Sequence, residues 1–354
     1  MLLPLSKLYG AGVYLRNLMF RLGVLRQREF DVPVLVVGNI AVGGTGKTPH
    51  TEFVIDALRY RYRIGVISRG YKRKTKGFVL ASRRSTPADI GDEPYQIFQK
   101  YGDAMRLAVC EDRCAGIDEL LKIDPGINLI VLDDAFQHRY VKPTVSIVLT
   151  EFNRPFFMDN LMPLGRLREP ASAIDRADMV VVTKCPDQLK PIEYRIFKKN
   201  LDLYPCQNLY FSRYSYGKLV ALYPDTAELT PTLDYLTESD TIMAISGIAN
   251  PKPFVKYLSR YRASVKLTVF PDHHNFTRRD IDAIAKRYDE LSGDRKIIIT
   301  TEKDAVRLST NPYFPHRLKA AIFYLPITVE MDAQSSATFT EDLVKTLRLG
   351  KINS

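Results

Sequence analysis

The sequence predicts an α/β protein with a doubly wound, mostly parallel sheet and a second, smaller α/β domain. Two observations lead to this fold class. Short continuous apolar segments alternate with segments of helical periodicity, and this alternation stops once and then restarts. Strands that are apolar throughout are typical of a parallel sheet that helices cover on both faces. A chain of 354 residues is long enough for two such domains.

The first series of elements begins with an apolar strand at Val34–Val37, which Pro33 precedes and Gly38 follows. Helical spacing comes next, from Lys47 to about Tyr60. The later elements of this series are strands at Ile64–Ser68, Leu107–Val109, Ile127–Leu132, Ile147–Leu149 and Met179–Thr183, and a helix at Glu93–Tyr101. Proline and glycine predict a loop-rich stretch over residues 152–173.

Residues 216–239 interrupt the alternation and mark a domain boundary. The second series consists of strands at Ile242–Ile245, Val265–Phe270 and Lys296–Thr300, a helix around Phe254–Tyr261 and a helix opened by the capping-box-like pair Thr277 and Asp280. We therefore predict four segments, which are an N-terminal segment at 1–30, a main domain at 31–225, a smaller α/β domain at 236–330, and a C-terminal segment at 331–354 that packs back on the main domain.

Residues 37–48, VGNIAVGGTGKT, match a phosphate-binding loop (P-loop) in the required context, after a strand and at the start of a helix. Glycines allow backbone N–H groups to surround phosphate oxygens, and the helix N-terminus adds its positive end. The residues predicted to bind nucleotide are Gly43, Gly44, Thr45, Gly46, Lys47 and Thr48. Lys47 would reach the β- and γ-phosphates, and the Thr48 hydroxyl would bind Mg²⁺. The loop departs from the usual GxxxxGK[ST] pattern at Ala41. The sheet is thus of the P-loop NTPase type.

An acidic pair follows the apolar strand Ile127–Leu132. Asp133 and Asp134 stand at the carboxyl end of that strand, where a P-loop protein needs a carboxylate for the magnesium shell. Gln137 and His138 come directly after them and add polar groups at the sheet edge where ligands bind in doubly wound folds. The sequence therefore predicts ATP or GTP with Mg²⁺ as ligands.

Composition limits the classes of protein and of partner. Lysine and arginine total 51 against 40 acidic residues, for a formal net charge of +11, and ten basic residues with no acid lie between Arg59 and Arg84. Such a surplus indicates nucleic acid, an anionic membrane surface or phosphorylated ligands as partners. The 45% of hydrophobic residues exclude a disordered, collagen-like or low-complexity chain. Four cysteines without a CxxC pair predict reduced thiols in a cytosolic protein.

The first 22 residues are apolar with interruptions at Lys7, Arg16 and Arg21. A cleaved signal peptide would carry its charges before an unbroken apolar stretch, and no run reaches the roughly 18 apolar residues of a spanning helix. Two interpretations are open at this point. The segment is either a basic amphipathic helix on a membrane surface or a terminal helix docked on the protein's own core.

Three further segments have chemistry suited to a phosphoryl acceptor, for which a kinase needs a proton acceptor and positive charge. Asp92 and Glu93 open a helix, where acids also serve as caps. His273 and His274 follow Asp272 and offer imidazoles, although surface histidines are common. Residues 166–170, RLREP, place two arginines and a glutamate in the loop-rich stretch.

Eight segments occur in the order GGTGKTP (Gly43–Pro49), SRGY (Ser68–Tyr71), GDEP (Gly91–Pro94), LDDAFQH (Leu132–His138), LGRLREP (Leu164–Pro170), GIANP (Gly247–Pro251), DH (Asp272–His273) and TEKD (Thr301–Asp304). As a set they closely resemble the tetraacyldisaccharide 4'-kinase family, the inner-membrane lipid A kinases of Gram-negative bacteria. The resemblance runs from Pro4 to about Val306, which is most of the chain.

The resemblance implies transfer of the ATP γ-phosphoryl group to the 4'-hydroxyl of a tetraacylated glucosamine disaccharide 1-phosphate. It implies that Asp92 acts as the base with assistance from His273, with His274 as a second candidate. It places Asp133, Asp134 and Glu169 with the metal and the reacting groups, and Arg168 beside them. Lys47 and Thr48 of the P-loop complete the predicted site, in which Thr48, Asp133 and Glu169 are the Mg²⁺ ligands. It also favours the membrane-surface interpretation of the N-terminal helix, at the cytoplasmic face of the inner membrane. We further expect a monomer that binds no nucleic acid.

Two other classes of function compete with this one. Residues 182–187, VTKCPD, weakly resemble the base-reading NKxD box of GTPases, which would suit a membrane-associated P-loop switch or motor without a lipid acceptor. The box lacks its asparagine, and Pro186 with an extra residue before Asp187 alters its spacing. Tyrosines among the basic residues 59–84 would suit a nucleic-acid-dependent ATPase.

The role of Thr301–Asp304 has two open interpretations, nucleotide contact and helix capping.

Overall fold

The computed structural model describes residues 2–226, 230–272, 274–336 and 338–352. The chain divides into two compact units. The first is formed by Met1–Ser215 together with Val329–Ser354, and the second by Tyr216–Thr328. In sequence, the second unit is therefore an insertion in the first. Each unit is built on one sheet.

The strands share the apolar character that the sequence indicated. Their bounds are β1 (Val34–Asn39), β2 (Ile64–Ser68), β3 (Val79–Leu80), β4 (Met105–Val109), β5 (Leu129–Asp133), β6 (Val145–Glu151), β7 (Met179–Thr183), β8 (Asn208–Tyr216), β9 (Val220–Ala221), β10 (Thr241–Ser246), β11 (Ser264–Val269), β12 (Lys296–Thr301), β13 (Ile322–Leu325) and β14 (Ile327–Met331).

The helices alternate with these strands along most of the chain. Their bounds are α1 (Leu2–Arg21), α2 (Lys47–Leu58), α3 (Pro87–Ile90), α4 (Asp92–Tyr101), α5 (Arg113–Ile123), α6 (Pro191–Leu201), α7 (Lys252–Leu258), α8 (Arg278–Asp289), α9 (Glu302–Ser309), α10 (His316–Lys319), α11 (Ala333–Ser336) and α12 (Phe339–Ile352). Short 3₁₀ turns lie at Phe156–Met158, Ala171–Arg176, Pro224–Thr226 and Leu233–Tyr235.

The sheet of the first unit has the strand order β14-β8-β7-β6-β1-β5-β2-β4-β3. The strands from β8 to β4 in this order are parallel to their neighbours, and β3 adds an antiparallel edge. β1 lies in the interior, between β5 and β6. The segments that follow β1, β5, β6 and β7 therefore start at the same edge of the sheet, where doubly wound folds bind their ligands.

Helices cover both faces of this sheet, as the continuous apolar strands predicted. Val36 and Leu132 enter one buried cluster with side chains of α5 and α6. Their neighbours Leu35 and Val131 enter another with side chains of α2, α4 and α12. Because successive residues of a strand point to opposite faces, both faces need apolar side chains. The predicted α/β class with a mostly parallel sheet is confirmed.

The N-terminal helix α1 packs against loops of the first unit on one side. The Ser6 hydroxyl donates to Leu161 O over 2.8 Å, and the Tyr9 hydroxyl donates to Arg168 O over 2.8 Å. On its other side the leucines are exposed, with Leu8 at 72%. Among the described residues, no helix combines the length and the apolarity that crossing a membrane requires.

The C-terminal helix α12 belongs to the core of the first unit. Phe339 is 1% exposed, and its ring lies 5.5 Å from that of Phe53 in α2 and 5.0 Å from that of Tyr210 in β8. Leu343 and Leu347 continue the same buried face. Residues at both ends of the chain thus build the unit that carries the P-loop.

The sheet of the second unit has the order β11-β10-β12-β13-β9. β10, β11, β12 and β13 are parallel to their neighbours, and β9 pairs with β13 in the antiparallel sense. Buried clusters cover both faces of this sheet as well. The predicted second, smaller α/β fold is present.

Candidate active site

The P-loop joins β1 to α2 through backbone conformations that favour glycine. Gly43 and Gly46 have φ angles of 116° and 92°, which side-chain-bearing residues rarely adopt. A Cβ atom added at Gly46 would lie 1.8 Å from Tyr214 Oη, so this position also lacks space for a side chain. α2 begins directly after Gly46, so that the positive end of the helix closes the loop.

Residues 166–168 hold one side of the P-loop by backbone hydrogen bonds. Val42 N donates to Arg166 O over 2.7 Å, and Arg168 N donates to Ile40 O over 2.8 Å. The two segments therefore form a short antiparallel pairing. Arg166 and Arg168 are fixed beside the phosphate-binding loop as a result.

Polar side chains at the ends of β1 and β7 hold the interior of the loop. The Asn39 side-chain amide donates to Thr45 Oγ1 over 2.6 Å, and the Thr183 hydroxyl donates to Thr45 O over 2.9 Å. The Gln137 amide in turn donates to Asn39 O over 2.7 Å. The conformation of the P-loop is thus fixed by the protein itself, which lowers the entropy cost of binding a phosphate group.

His50 lies buried behind the P-loop in the first turn of α2. Its Nδ1 is 2.7 Å from Gly46 O and its Nε2 is 2.9 Å from Ser212 Oγ. A carbonyl oxygen can only accept, so Nδ1 carries the proton and Nε2 accepts from the serine hydroxyl. Burial lowers the pKa of His50 to about 4, and the nearby charge of Lys184 also lowers it. The ring is therefore neutral at neutral pH.

Lys47, Asp134 and Arg168, three of the predicted site residues, lie together. Lys47 Nζ is 3.6 Å from Asp134 Oδ2, and Arg168 Nη1 is 3.4 Å from Asp134 Oδ1. Asp134 has a φ of 48°, a left-handed conformation that costs energy in a residue with a side chain. This turn brings its carboxylate between the two cations at the sheet edge.

Asp133, the last residue of β5, is buried at 1% exposure. Its Oδ1 accepts from the Thr51 hydroxyl over 2.9 Å, and its Oδ2 accepts from the Ser68 hydroxyl over 3.2 Å. Burial, together with the nearby carboxylates of Glu93 and Asp134, raises the pKa of Asp133 to about 6. The charged form of Asp133 is therefore disfavoured in the folded protein, and a cation bound beside it would stabilise that form.

These donors fit Mg²⁺, which prefers hard oxygen ligands and keeps several from water or phosphate. Thr48 lies in the first turn of α2, and Asp133 ends β5, the strand beside β1. P-loop proteins place the hydroxyl and the carboxylate of the metal shell in this way. In the described part of the chain, no three His, Cys, Asp or Glu side chains are grouped to hold a metal alone. A magnesium ion held by Thr48 and Asp133 would complete its shell with water or phosphate oxygens.

Asp92, the predicted base, is the first residue of α4. Gly91 before it has a φ of 90°, and a Cβ atom there would lie 3.0 Å from Tyr71 O. The GDEP segment therefore packs against the SRGY segment. Glu93, the next residue, is close enough to Asp133 to raise the pKa of that carboxyl. The start of α4 thus lies near the carboxylates that follow β5.

Glu169 was predicted as a third magnesium ligand, and the structure gives it a different partner. Its Oε2 forms a close ion pair with Arg176 Nη2, and the side chain is almost fully buried. Oε1 has no hydrogen-bond partner among the residues that the structure describes. Binding of Mg²⁺ by Glu169 would require the pair with Arg176 to open, and this role stays a prediction.

In the second unit, the predicted His273 lies outside the described residues. The alternative, His274, has its Nε2 2.9 Å from Asp280 Oδ2, and its ring stacks on Phe270 with centroids 5.0 Å apart. Asp280 also forms the capping box of α8 with Thr277. His274 therefore fixes the start of α8.

The segment Thr301–Asp304 caps α9. Thr301 Oγ1 accepts from Asp304 N over 3.3 Å, and Asp304 Oδ2 accepts from the Thr301 hydroxyl over 2.6 Å and from Gly247 N over 2.8 Å. The segment thus connects the GIANP turn after β10 with the helix after β12. Of its two interpretations, helix capping is confirmed.

Three residues that shape the site were not predicted from the sequence, namely His50, Thr51 and Thr183. His50 and Thr51 follow the P-loop lysine within α2, and polar side chains on the buried face of a helix usually have a polar partner. That signal was available in the sequence. The role of Thr183 depends on which strands are neighbours, which a single sequence does not show.

Together, the parallel sheet, the glycine loop between β1 and α2, and the carboxylates after β5 define a P-loop nucleotide-binding protein. The sequence model of the tetraacyldisaccharide-1-P 4'-kinase (LpxK) family matches residues 1–348, and the chain belongs to this family. The resemblance that the sequence motifs indicated is thereby confirmed.

Curated relatives agree with the family assignment. A protein named tetraacyldisaccharide 4'-kinase from Bacteroides fragilis is 48% identical over 349 residues, which cover 98% of this chain and 93% of the relative. The protein of the same name from Bacteroides thetaiotaomicron is 47% identical over 360 residues, covering 100% and 94%. That from Flavobacterium johnsoniae is 40% identical over 326 residues, covering 92% and 91%.

A solved structure has the same fold. The crystal structure of LpxK from Aquifex aeolicus in complex with ATP superposes with a TM-score of 0.74 at 27% sequence identity, covering 98% of each chain. The similarity therefore extends over nearly the whole length of both proteins.

We expect His50 to make the protein less stable in mild acid. The pKa of the buried ring is about 4 in the folded state, against about 6.5 in an unfolded chain. Between these values the unfolded state binds the extra proton, so the free energy of unfolding falls as the pH falls. Between about pH 7.5 and pH 5, this group should account for a loss of about 2 kcal/mol.

Urea unfolding of the unmodified protein and of His50→Gln at both pH values measures this contribution. Asp133 titrates with the opposite sign, because its raised pKa makes the folded state gain stability as the pH falls through about 6. The difference between the two proteins cancels that effect. An equal pH dependence in both proteins would show that His50 is not a buried neutral ring.

Proposed function

We propose that the protein is a kinase that transfers the γ-phosphoryl group of ATP to the 4'-hydroxyl of a tetraacylated glucosamine disaccharide 1-phosphate. The observation that carries this proposal is the cluster of Lys47, Asp134 and Arg168 beside a preformed P-loop, in a chain of the LpxK family. The relatives are named tetraacyldisaccharide 4'-kinase, a kinase that acts at the 4'-position of an acylated disaccharide. A P-loop switch without a lipid acceptor has no comparable support.

The ion pairs of the cluster suit an exchange of partners when ATP binds. Lys47 is paired with Asp134 at 3.6 Å, a distance that leaves its ammonium available for the β- and γ-phosphates. Arg168 would then remain beside Asp134 and stabilise the negative charge on the transferred group. Thr48 and Asp133 would hold Mg²⁺, which supplies electrostatic stabilisation of the phosphates.

The acceptor hydroxyl needs a base, because an alcohol is a poor nucleophile at neutral pH. We assign this role to Asp92, with assistance from His273 in removing the proton, as the family resemblance implies. His274 is engaged by Asp280 and by the ring of Phe270, which supports His273 over its neighbour. Exclusion of water during the reaction would prevent loss of the phosphoryl group by hydrolysis.

We further propose that α1 seats the enzyme on the cytoplasmic face of the inner membrane as a peripheral protein. Its exposed leucines and its basic residues Lys7, Arg16 and Arg21 suit an interfacial helix. An acceptor with four acyl chains would reach the enzyme from that surface. The exposed apolar side of α1 and its hydrogen-bonded side then have separate roles.

The reaction is tested with [γ-³²P]ATP and a lipid A disaccharide 1-phosphate acceptor in detergent. We expect labelled lipid to form only when both substrates are present, and expect Lys47→Ala to abolish the product because the P-loop ammonium is lost. ATP hydrolysis without labelled lipid would support the switch interpretation and contradict the kinase proposal.

We expect Asp92→Ala and His273→Ala each to slow turnover by about 10²- to 10⁴-fold, the range for a lost acid–base group. The Kd for ATP should stay nearly unchanged, because neither residue is assigned to the nucleotide. Steady-state kinetics with saturating acceptor measures the first effect, and nucleotide titration measures the second.

Matched controls use an exposed residue of each type. Asp103 pairs with Arg83 on the surface and His316 starts the short helix α10, so Asp103→Ala and His316→Ala should retain turnover. His274→Gln should affect folding more than the rate per folded molecule. Turnover at the unmodified rate in either Asp92→Ala or His273→Ala removes that residue from the mechanism.

We expect Leu8→Glu combined with Leu15→Glu to weaken binding to anionic vesicles about tenfold or more, because each leucine loses apolar contact with the bilayer. The two leucines are 72% and 58% exposed on α1. Sedimentation with phosphatidylglycerol-containing vesicles measures the binding. Ile123→Glu with Ile192→Glu, a pair exposed elsewhere at 50% and 55%, is the control. Equal binding by both double variants would contradict a membrane role for α1.

A further inference from the structure

The segment after β7 lies beside the P-loop, on the flank away from β5. β1 pairs with β6 and β6 pairs with β7, all in parallel, so their carboxyl ends are adjacent. Glu151 is the last residue of β6, and Lys184 directly follows Thr183 at the end of β7. Residues 184–187 have no part in the proposed phosphoryl transfer, although residues 182–187 weakly resemble a base-reading box.

Lys184 is held in an unusual conformation next to a carboxylate. Its φ of 57° is rare for a residue with a side chain, and such conformations concentrate at ligand sites. Its Nζ lies 3.1 Å from Glu151 Oε1, and the two side chains are 31% and 23% exposed. The pair is therefore fixed in position and partly open to solvent.

Two contacts connect the neighbours of this pair, Thr183 and Tyr214, to the P-loop. The Thr183 hydroxyl donates to Thr45 O over 2.9 Å. Tyr214 Oη lies against Gly46, where a Cβ atom would be 1.8 Å away. Burial raises the pKa of Tyr214, with the charge of Glu151 as a smaller cause, so the hydroxyl stays protonated. The flank that carries Lys184 and Glu151 therefore contacts the P-loop at Thr45 and Gly46.

We propose that Lys184 and Glu151 form the nucleoside subsite of the ATP site. The inference rests on the proposed function, in which the P-loop holds the phosphates. On the β5 side of the P-loop, the carboxylates of Asp133 and Asp134 suit the metal and the reacting groups. The nucleoside would therefore lie on the opposite side, beside β6 and β7. The alkyl stem of Lys184 would lie against the purine, whose face also attracts its charge.

The Glu151 carboxylate would accept a hydrogen bond from the nucleoside. ATP offers two kinds of donor, the amino group of adenine and the hydroxyls of the ribose. Inosine triphosphate lacks the amino group, and 2'-deoxy-ATP lacks the 2'-hydroxyl of the ribose. Comparison of the two analogues therefore shows which donor Glu151 contacts. A carboxylate accepts hydrogen bonds more strongly than a neutral amide does.

The test measures nucleotide binding in the absence of lipid. Displacement of a fluorescent ATP analogue gives the Kd of ATP and that of inorganic tripolyphosphate, which has phosphates but no nucleoside. We expect Lys184→Ala to raise the Kd of ATP about tenfold and to leave that of tripolyphosphate within about twofold. Equal weakening of both ligands, or of neither, would overturn the proposal.

Glu151→Gln tests the second half of the subsite. We expect it to weaken binding of ATP while leaving unchanged the binding of the one analogue that lacks the contacted donor. Equal effects on ATP, inosine triphosphate and 2'-deoxy-ATP would remove Glu151 from the nucleoside contact. Lys184→Met retains the apolar stem and should recover part of the affinity that Lys184→Ala loses.

The control is Lys142→Ala, which removes a lysine from an exposed ion pair with Glu29 and should change neither Kd. Comparison of two ligands in one sample separates a lost nucleoside contact from general damage to folding. Absence of ATP binding by the unmodified protein would overturn the proposed function itself. ATP binding that is insensitive to Lys184→Ala would overturn only the present inference.

Discussion

The buried carboxylate of Asp133 is the constraint on which the arrangement of the site depends. A buried charge is costly unless hydrogen bonds or opposite charges offset it. Here the offset comes from Thr51 in α2 and Ser68 at the end of β2, so three elements must meet at one point. The P-loop helix is thereby fixed against the central strands. The pKa of Asp133 nevertheless stays raised, which means that its charged form is still disfavoured. A bound cation would stabilise that charged form.

The strands of both sheets were largely predictable because burial on two faces requires unbroken apolar runs. The bounds of β2 and β7, Ile64–Ser68 and Met179–Thr183, agree with the prediction. β8 was missed because its sequence, NLYFSRYSY, mixes polar and aromatic residues, and only part of the strand is buried. α5 was also missed, although Asp112 caps it and Ile117 and Leu120 follow at helical spacing. β8 was missed because its residue pattern is not typical of a buried strand, whereas the cap and the apolar spacing of α5 were visible in the sequence.

The candidate site was predictable where its residues are close in sequence to a motif. The P-loop is recognisable in the sequence because phosphate binding needs consecutive backbone groups at a strand end. The pair Asp133 and Asp134 is recognisable because it directly follows an apolar run. Contacts between distant segments leave no such trace. His50 meets Ser212 across 162 positions, and the partner of Glu169 is an arginine that no motif includes. The distant contacts that shape the P-loop could therefore be identified only from the three-dimensional structure.

The sequence order of the two units has a consequence for synthesis on the ribosome. The second unit is one continuous segment, Tyr216–Thr328, and can fold as soon as it emerges. The first unit needs Phe339, Leu343 and Leu347 of α12 to complete its core. Because chains emerge from the N-terminus, the apolar face that α12 covers stays open until the second unit and then α12 have emerged. The unit that contains the P-loop therefore completes its core only after the whole of the second unit has been synthesised.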